Sequence, residues 1–350
     1  MREQMAIGLC GLFLLTACQP TPADAPAALT LIDSVRIQES ESLFVGRPNA
    51  IAIGPNGAVF VSDIADRKIL RVARAGDSVV LVAGRGGGPG EVSSPTSLAI
   101  VGDTVLAVQN GGRKRIEWYD LASLRYRQTL RITSPAASLT SGDGALLFGS
   151  LVPDSGTAFA ELIDSLGALQ RGGTVPDIYR RSPPVAQAFG ALEVAKDGDA
   201  ILGLFEVSNT LYRWPRRSGA SDSIVLTVTT RRGARPDHIE ELLRDPSKAA
   251  TLAFQWSIPM LVAPLSAERA LVVFHDPTLV KDQYRGPSFV QLVDWRAHRS
   301  CAELALPVPA DTPPRYAMRG DTLVAVVQHP SGEDGVSSWI VRWRIGASRC

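Results

Sequence analysis

The chain has 350 residues, 45% of them hydrophobic, which is material for one large core or two smaller ones. Its 36 lysines and arginines nearly balance 35 aspartates and glutamates, a net charge of +1. With one short basic run, Arg113 to Arg115, it lacks the clustered positive surface that nucleic acid requires, and no such partner is expected.

The N-terminus carries Arg2 and then an apolar run from Ala6 to Thr16, too short to span a bilayer but suited to a signal peptide. The run ends Leu15, Thr16, Ala17, Cys18, which resembles the bacterial lipobox. That resemblance implies removal of residues 1–17, acylation of Cys18 and anchoring in the cell envelope, in the outer membrane rather than the inner. An ordinary signal sequence that happens to contain a cysteine is the alternative. Residues 18–28, rich in proline and alanine, read as a flexible tether, and residues 29–350 as the folded domain. Once Cys10 leaves with the signal and Cys18 takes lipid, Cys301 and Cys350 remain; in an exported protein they favour a disulfide over free thiols.

From residue 55 onward one pattern recurs six times: a tight polar turn, then an apolar run. The copies are PNGAVFVSD from Pro55, VGDTVLAVQN from Val101, SGDGALLFGS from Ser141, KDGDAILGLFE from Lys196, SAERALVVFHD from Ser266 and RGDTLVAVVQH from Arg319. They are spaced by 41 to 55 residues, with one interval of 70. Asn-Gly, Gly-Asp and Asp-Gly supply the positive φ of two-residue hairpins, so each match marks a joint between antiparallel strands. The strand after each turn is almost wholly apolar, which predicts burial on both faces. Six units of four strands predict an all-β, six-bladed β-propeller with four-stranded blades. The sixth unit runs out after three strands, and LTLIDSVRI at residues 29–37 is left over to complete it.

The stretch RPNAIAIGPNGAVFVSDIADRKILRV resembles an NHL-type repeat, with Asp63, Asp66, Lys68 and Ile69 at the motif positions. Asn110, Arg113, Arg115 and Ile116 follow it more loosely, and the later units depart from it. With GRGGGPGE after the first unit, the chain resembles the NHL-like and TolB-like propellers of bacterial lipoproteins, a group too varied in function for the likeness to carry chemistry.

GRGGGPGEVSSP, residues 84–95, connects the first unit to the second. It does not satisfy G-x-G-x-x-G and no helix follows it, so it reads as a crowded crossing rather than a phosphate cradle. The long interval holds PDHIEELLRD, where Asp237 and Glu240 resemble a capping box ahead of an Ile239, Leu242, Leu243 stripe. This predicts a short helical insertion between blades four and five, either a lid over the mouth or a patch over a gap; a second short helix is predicted from Ser247 to Phe254.

The ends of the second strands define a top face bearing Asp63, Asn110, Ser150, Glu206, His275 and His329. Of these, Asp63, Asn110, Glu206, His275 and His329 are candidate ligand contacts. His275 and His329 end equivalent strands in adjacent units, and with Asp63 they have the donor types of a divalent metal site, the basis of an alternative reading as a metal-assisted hydrolase or lyase. The simpler reading is that each caps its strand. The inner strands are expected to begin at Asn49, Thr96, Ala136, Gln187, Ser257 and Arg315, offering no carboxylate to the channel. No catalytic residue is assigned and no cofactor is assigned beyond that metal. The leading expectation is a lipid-anchored binding or assembly module whose top face meets a protein, peptide or glycan of the envelope.

Overall fold

The computed structural model describes residues 29–346, apart from 133–135, 151–155, 163–167, 217–218, 249–251, 253–254, 281–282, 309–311 and 332–334. Six antiparallel sheets form a closed ring, each inner strand lying against the next and the sixth against the first. Blade 1 comprises Pro48–Ile53, Val59–Asp63, Lys68–Val72 and Val79–Ala83. Blades 2, 3 and 4 follow over 95–131, 136–174 and 192–225. In blade 5 the outermost strand is broken into Arg299–Ser300 and Leu304–Leu306, both paired with Ser288–Asp294.

Both ends of the domain build blade 6. Leu29–Arg36 runs antiparallel to Gly335–Ile345, with Leu29 opposite Ile345 and Arg36 opposite Trp339. The leftover N-terminal segment thus supplies the missing fourth strand. Asp33 accepts a 2.7 Å bond from the buried Arg342 guanidinium, which also donates to the Arg74 carbonyl of blade 1 at 2.8 Å. One side chain therefore ties the N-terminal strand, the last strand and the first blade together.

The turns behave as their residues dictate. Gly102 and Asp103 both take positive φ, +55° and +57°, the backbone of a type I′ hairpin. The apolar strands that follow the turns are buried on both faces: Val59, Val61, Leu106, Leu202 and Leu271 are all fully enclosed. Their side chains meet those of neighbouring blades in six hydrophobic clusters, one per seam.

The seam between blades 3 and 4 is the most aromatic, joining Phe159, Phe205, Trp214 and Trp256. Its connection contains two short helices that the sequence reading missed, α1 (Asp177–Arg181) and α2 (Pro183–Phe189). The expected insertion between blades 4 and 5 is α3 (Pro236–Arg244), whose Leu242 is buried in this same cluster. It therefore patches a seam. Arg235 takes the N-cap position without a side-chain hydrogen bond, and Asp237 lies in the first turn, so the capping box does not form. A 3-10 turn at Pro246–Lys248 occupies the start of the second expected helix, most of which lies outside the described residues. Blade 5 also carries an unanticipated hairpin, Thr278–Val280 with Gln283–Arg285, between its second and third strands.

Cys301 is disulfide-bonded. Cys350 and residues 1–28, Cys18 among them, lie outside the described residues.

Candidate functional site

The inner strands enclose an axial channel of about 710 Å³. At its upper end the first lining residues of the blades are Asn49, Thr96, Ala137, Glu193, Pro259 and Arg315; its lower end reaches the hairpin turns at Gly102, Asp143 and Gly320. Several upper residues lace the blades together. Asn49 donates to the Thr96 carbonyl at 2.7 Å, Ser138 to that of Leu192 at 2.6 Å, and Arg315 Nε to that of Pro48 at 3.2 Å.

Glu193 corrects the expectation of a channel without carboxylates. Gln187 does not open blade 4; it lies in α2, and the inner strand runs from Leu192 to Asp197. Ser257 directly precedes its strand, Ile258–Ser266, and donates to the Arg232 carbonyl at 2.8 Å.

Electrostatics single out this end of the channel. Burial pushes the Glu193 carboxyl up to about 8, opposed by Arg315 and reinforced by Glu206. Burial likewise raises Glu206 to about 7. Arg315 is lowered by burial, an effect that Glu193 counters and Arg47 reinforces. His275, completely enclosed, is lowered to about 4, first by burial and then by Arg315 and Arg232, so it is a neutral imidazole at physiological pH. Its Nδ1 lies 3.2 Å from Ser288 Oγ and its Nε2 has no partner.

The other predicted top-face residues have structural employment. The Asp63 carboxylate accepts the N–H groups of Gly46 at 2.7 Å, Arg47 at 3.1 Å, Ala65 at 3.0 Å and Asp66 at 3.2 Å, with Lys68 Nζ 3.7 Å away. Asp63 and Lys68 thus hold the entry to blade 1. Asn110 Oδ1 accepts from Ser93 N at 3.1 Å and Ser94 N at 3.0 Å, while its Nδ2 donates to the Glu91 carbonyl at 3.3 Å. Asn110 therefore pins the glycine-rich crossing. Within that crossing Gly88 N–H donates to the Glu91 carboxylate at 2.7 Å, and a Cβ on Gly86 would collide with the same carboxylate. An internal acid occupies the place where a phosphate would have to sit.

His329 is half-buried, its ring edge-on to Trp339 at 6.4 Å between centroids. Asp63, His275 and His329 do not assemble: among the described residues no three His, Cys, Asp or Glu side chains come together as a metal site. Strand-end position alone cannot distinguish an acid aimed at a loop from one aimed at a ligand. The side chain of Ser150 lies outside the described residues. Of the five candidates, Glu206, whose charge bears on Glu193, and His275, on which Arg315 bears, adjoin the channel end without lining it.

No protein-family model matches the sequence, and no curated protein does. Among solved structures, a Bacteroides fragilis protein named for predicted export is 14% identical with a TM-score of 0.64, over 94% of this chain and 98% of that one. A member of the DUF4221 family from Bacteroides vulgatus is 7% identical with a TM-score of 0.66, over 93% and 99%. Virginiamycin B lyase from Staphylococcus aureus is 9% identical with a TM-score of 0.50, over 91% and 99%. At such identities the likeness is one of architecture, and what these proteins share with this chain is the six-bladed β-propeller fold.

Proposed function

We propose that the chain is an exported, lipid-anchored propeller of the NHL-like type that acts as a binding or assembly module rather than a catalyst. The observation that carries this reading is the division of labour among its polar groups. Asp63 and Asn110, which resemble reactive groups in sequence, are saturated by backbone partners, whereas the unpaired Glu193 carboxyl lines the axial channel. Export is supported by the lipobox at residues 15–18, by the disulfide at Cys301, a bond of oxidising compartments, and by the name of the Bacteroides fragilis neighbour. Cys350 is the partner proposed for Cys301. Leu29 pairs with Ile345, whose N–H bonds Asp321 in a lower hairpin turn, so the tether leaves from the lower rim and the top face points away from the anchor.

Cys18→Ser should abolish incorporation of labelled palmitate and release the chain from membranes, as read by fractionation. A variant that stayed labelled would contradict the anchor. The purified full chain incubated with envelope peptides and glycans should return them bound and chemically unchanged by mass spectrometry. A cleaved product would contradict the binding reading.

A further inference from the structure

The upper end of the channel holds polar groups that the fold leaves unused. His275 is fully enclosed and its Nε2 has no partner, and a buried polar group left unpaired calls for an explanation. Among the described residues the half-buried side chains of Glu193 and Glu206 accept no hydrogen bond and form no ion pair. Glu193 and Arg315 line one cavity and feel each other's charge, yet come from blades 4 and 6 and do not close to an ion pair. Arg315 spends only Nε on the protein, at the Pro48 carbonyl, leaving the two terminal nitrogens of its fork. The charge of Arg315 also bears on His275, whose Nε2 is unpartnered.

We propose that the upper end of the channel binds the carboxylate of a small organic anion, Arg315 supplying the charge and Glu193, which lines the same cavity, donating a hydrogen bond as a carboxylic acid. The proposal rests on the binding-module reading and names its ligand class. A guanidinium fork matches a carboxylate in two bonds, and a neutral acid beside it donates a third without adding repulsion. The local balance of charge has the same sign. Arg47 bears on Arg315, and Arg232 with Arg315 bears on His275, while Asp276 offsets Arg232 at 3.7 Å and Tyr316 adjoins Arg315. His275 is neutral, so it adds no charge.

The proposal fixes the direction of proton linkage. With Glu206 near 7 and Glu193 near 8, both acids hold their protons in mildly acidic solution and lose them as pH rises. A bound carboxylate favours the protonated forms, so binding takes up protons and affinity falls by at least about tenfold between pH 6 and pH 9.

The test is calorimetric titration of the full chain in detergent with succinate, and in parallel with inorganic phosphate and methylammonium. Succinate should bind with proton uptake. Arg315→Gln should weaken it on the order of a hundredfold, and Glu193→Gln, whose amide still donates, should keep binding but lose part of the pH dependence. Both variants must melt as cooperatively as the parent chain; if Arg315→Gln does not, Glu193→Gln carries the test alone. Binding of phosphate without succinate, binding of methylammonium with proton release, or no binding of any probe would overturn the proposal. Failure here together with an unaltered envelope ligand recovered on the same chain would leave the binding-module reading standing. Succinate bound and then chemically altered would support the site and overturn that reading.

Discussion

Replacing Asp63 with alanine should destabilise the propeller by about 3–5 kcal/mol, the range for stripping one partner from a buried charged network, and leave succinate binding at the channel end intact. The Asp63 side chain is fully buried and serves four backbone N–H groups in two loops, one entering blade 1 and one joining its second and third strands. Alanine would leave those donors without an acceptor and Lys68 without one of its two acidic neighbours. Thermal and urea unfolding of the variant would report the loss. A normal melting curve with lost ligand binding would reverse the assignment and return Asp63 to the role its strand-end position first suggested.

A still larger effect should follow from deleting residues 29–37. The deletion removes the outer strand of blade 6, takes Ile37 out of the seam between blades 6 and 1, and leaves Arg342 without Asp33. Emptying one large aliphatic site costs about 2–5 kcal/mol, and leaving a buried guanidinium without its carboxylate about 3–5 more. Together these approach the whole stability of a typical domain. The truncated chain should unfold without a cooperative transition, as followed by circular dichroism and calorimetry. A shortened chain that melted sharply near the parent temperature would show that the ring does not depend on this closure.

The architecture was legible because its signals are local. A turn with positive φ such as Gly102-Asp103, followed by a run such as Val105–Asn110 too apolar for a one-sided sheet, can only join two strands packed on both faces. The incomplete sixth unit and the unassigned N-terminal segment explained each other. The site was less legible. Asp63 and Glu206 occupy similar places in the repeat, yet one accepts backbone N–H groups and the other has no hydrogen-bond partner, and nothing in their immediate sequence separates them. Glu193 was missed for a different reason. Starting the inner strand at Gln187 puts it inside PPVAQAF, but proline at the first helical position opens a helix there instead. Counting back six residues from the Gly198 turn, as Pro48–Ile53 precedes its own turn, would have put Glu193 in the channel. Arg315 was placed correctly, but its significance depends on Glu193 facing it from two blades away.

Keeping α3 as a seam patch rather than a lid also bears on function. With Leu242 held in the aromatic cluster between blades 3 and 4, α3 has structural work to do at its own seam and is not free to swing over the channel. The channel end is then shaped chiefly by the inner strands, a rigid frame that suits recognition by preorganised groups.

The most direct measurement is a ¹³C-carboxyl NMR titration of the full chain labelled at glutamate, with Glu193→Gln and Glu206→Gln used for assignment. Two carboxyls should titrate near 8 and near 7, respectively, and both should move higher when succinate is added. If both instead lose their protons in the ordinary range near 4.5, the channel end holds two solvated carboxylates, and the anion site does not exist.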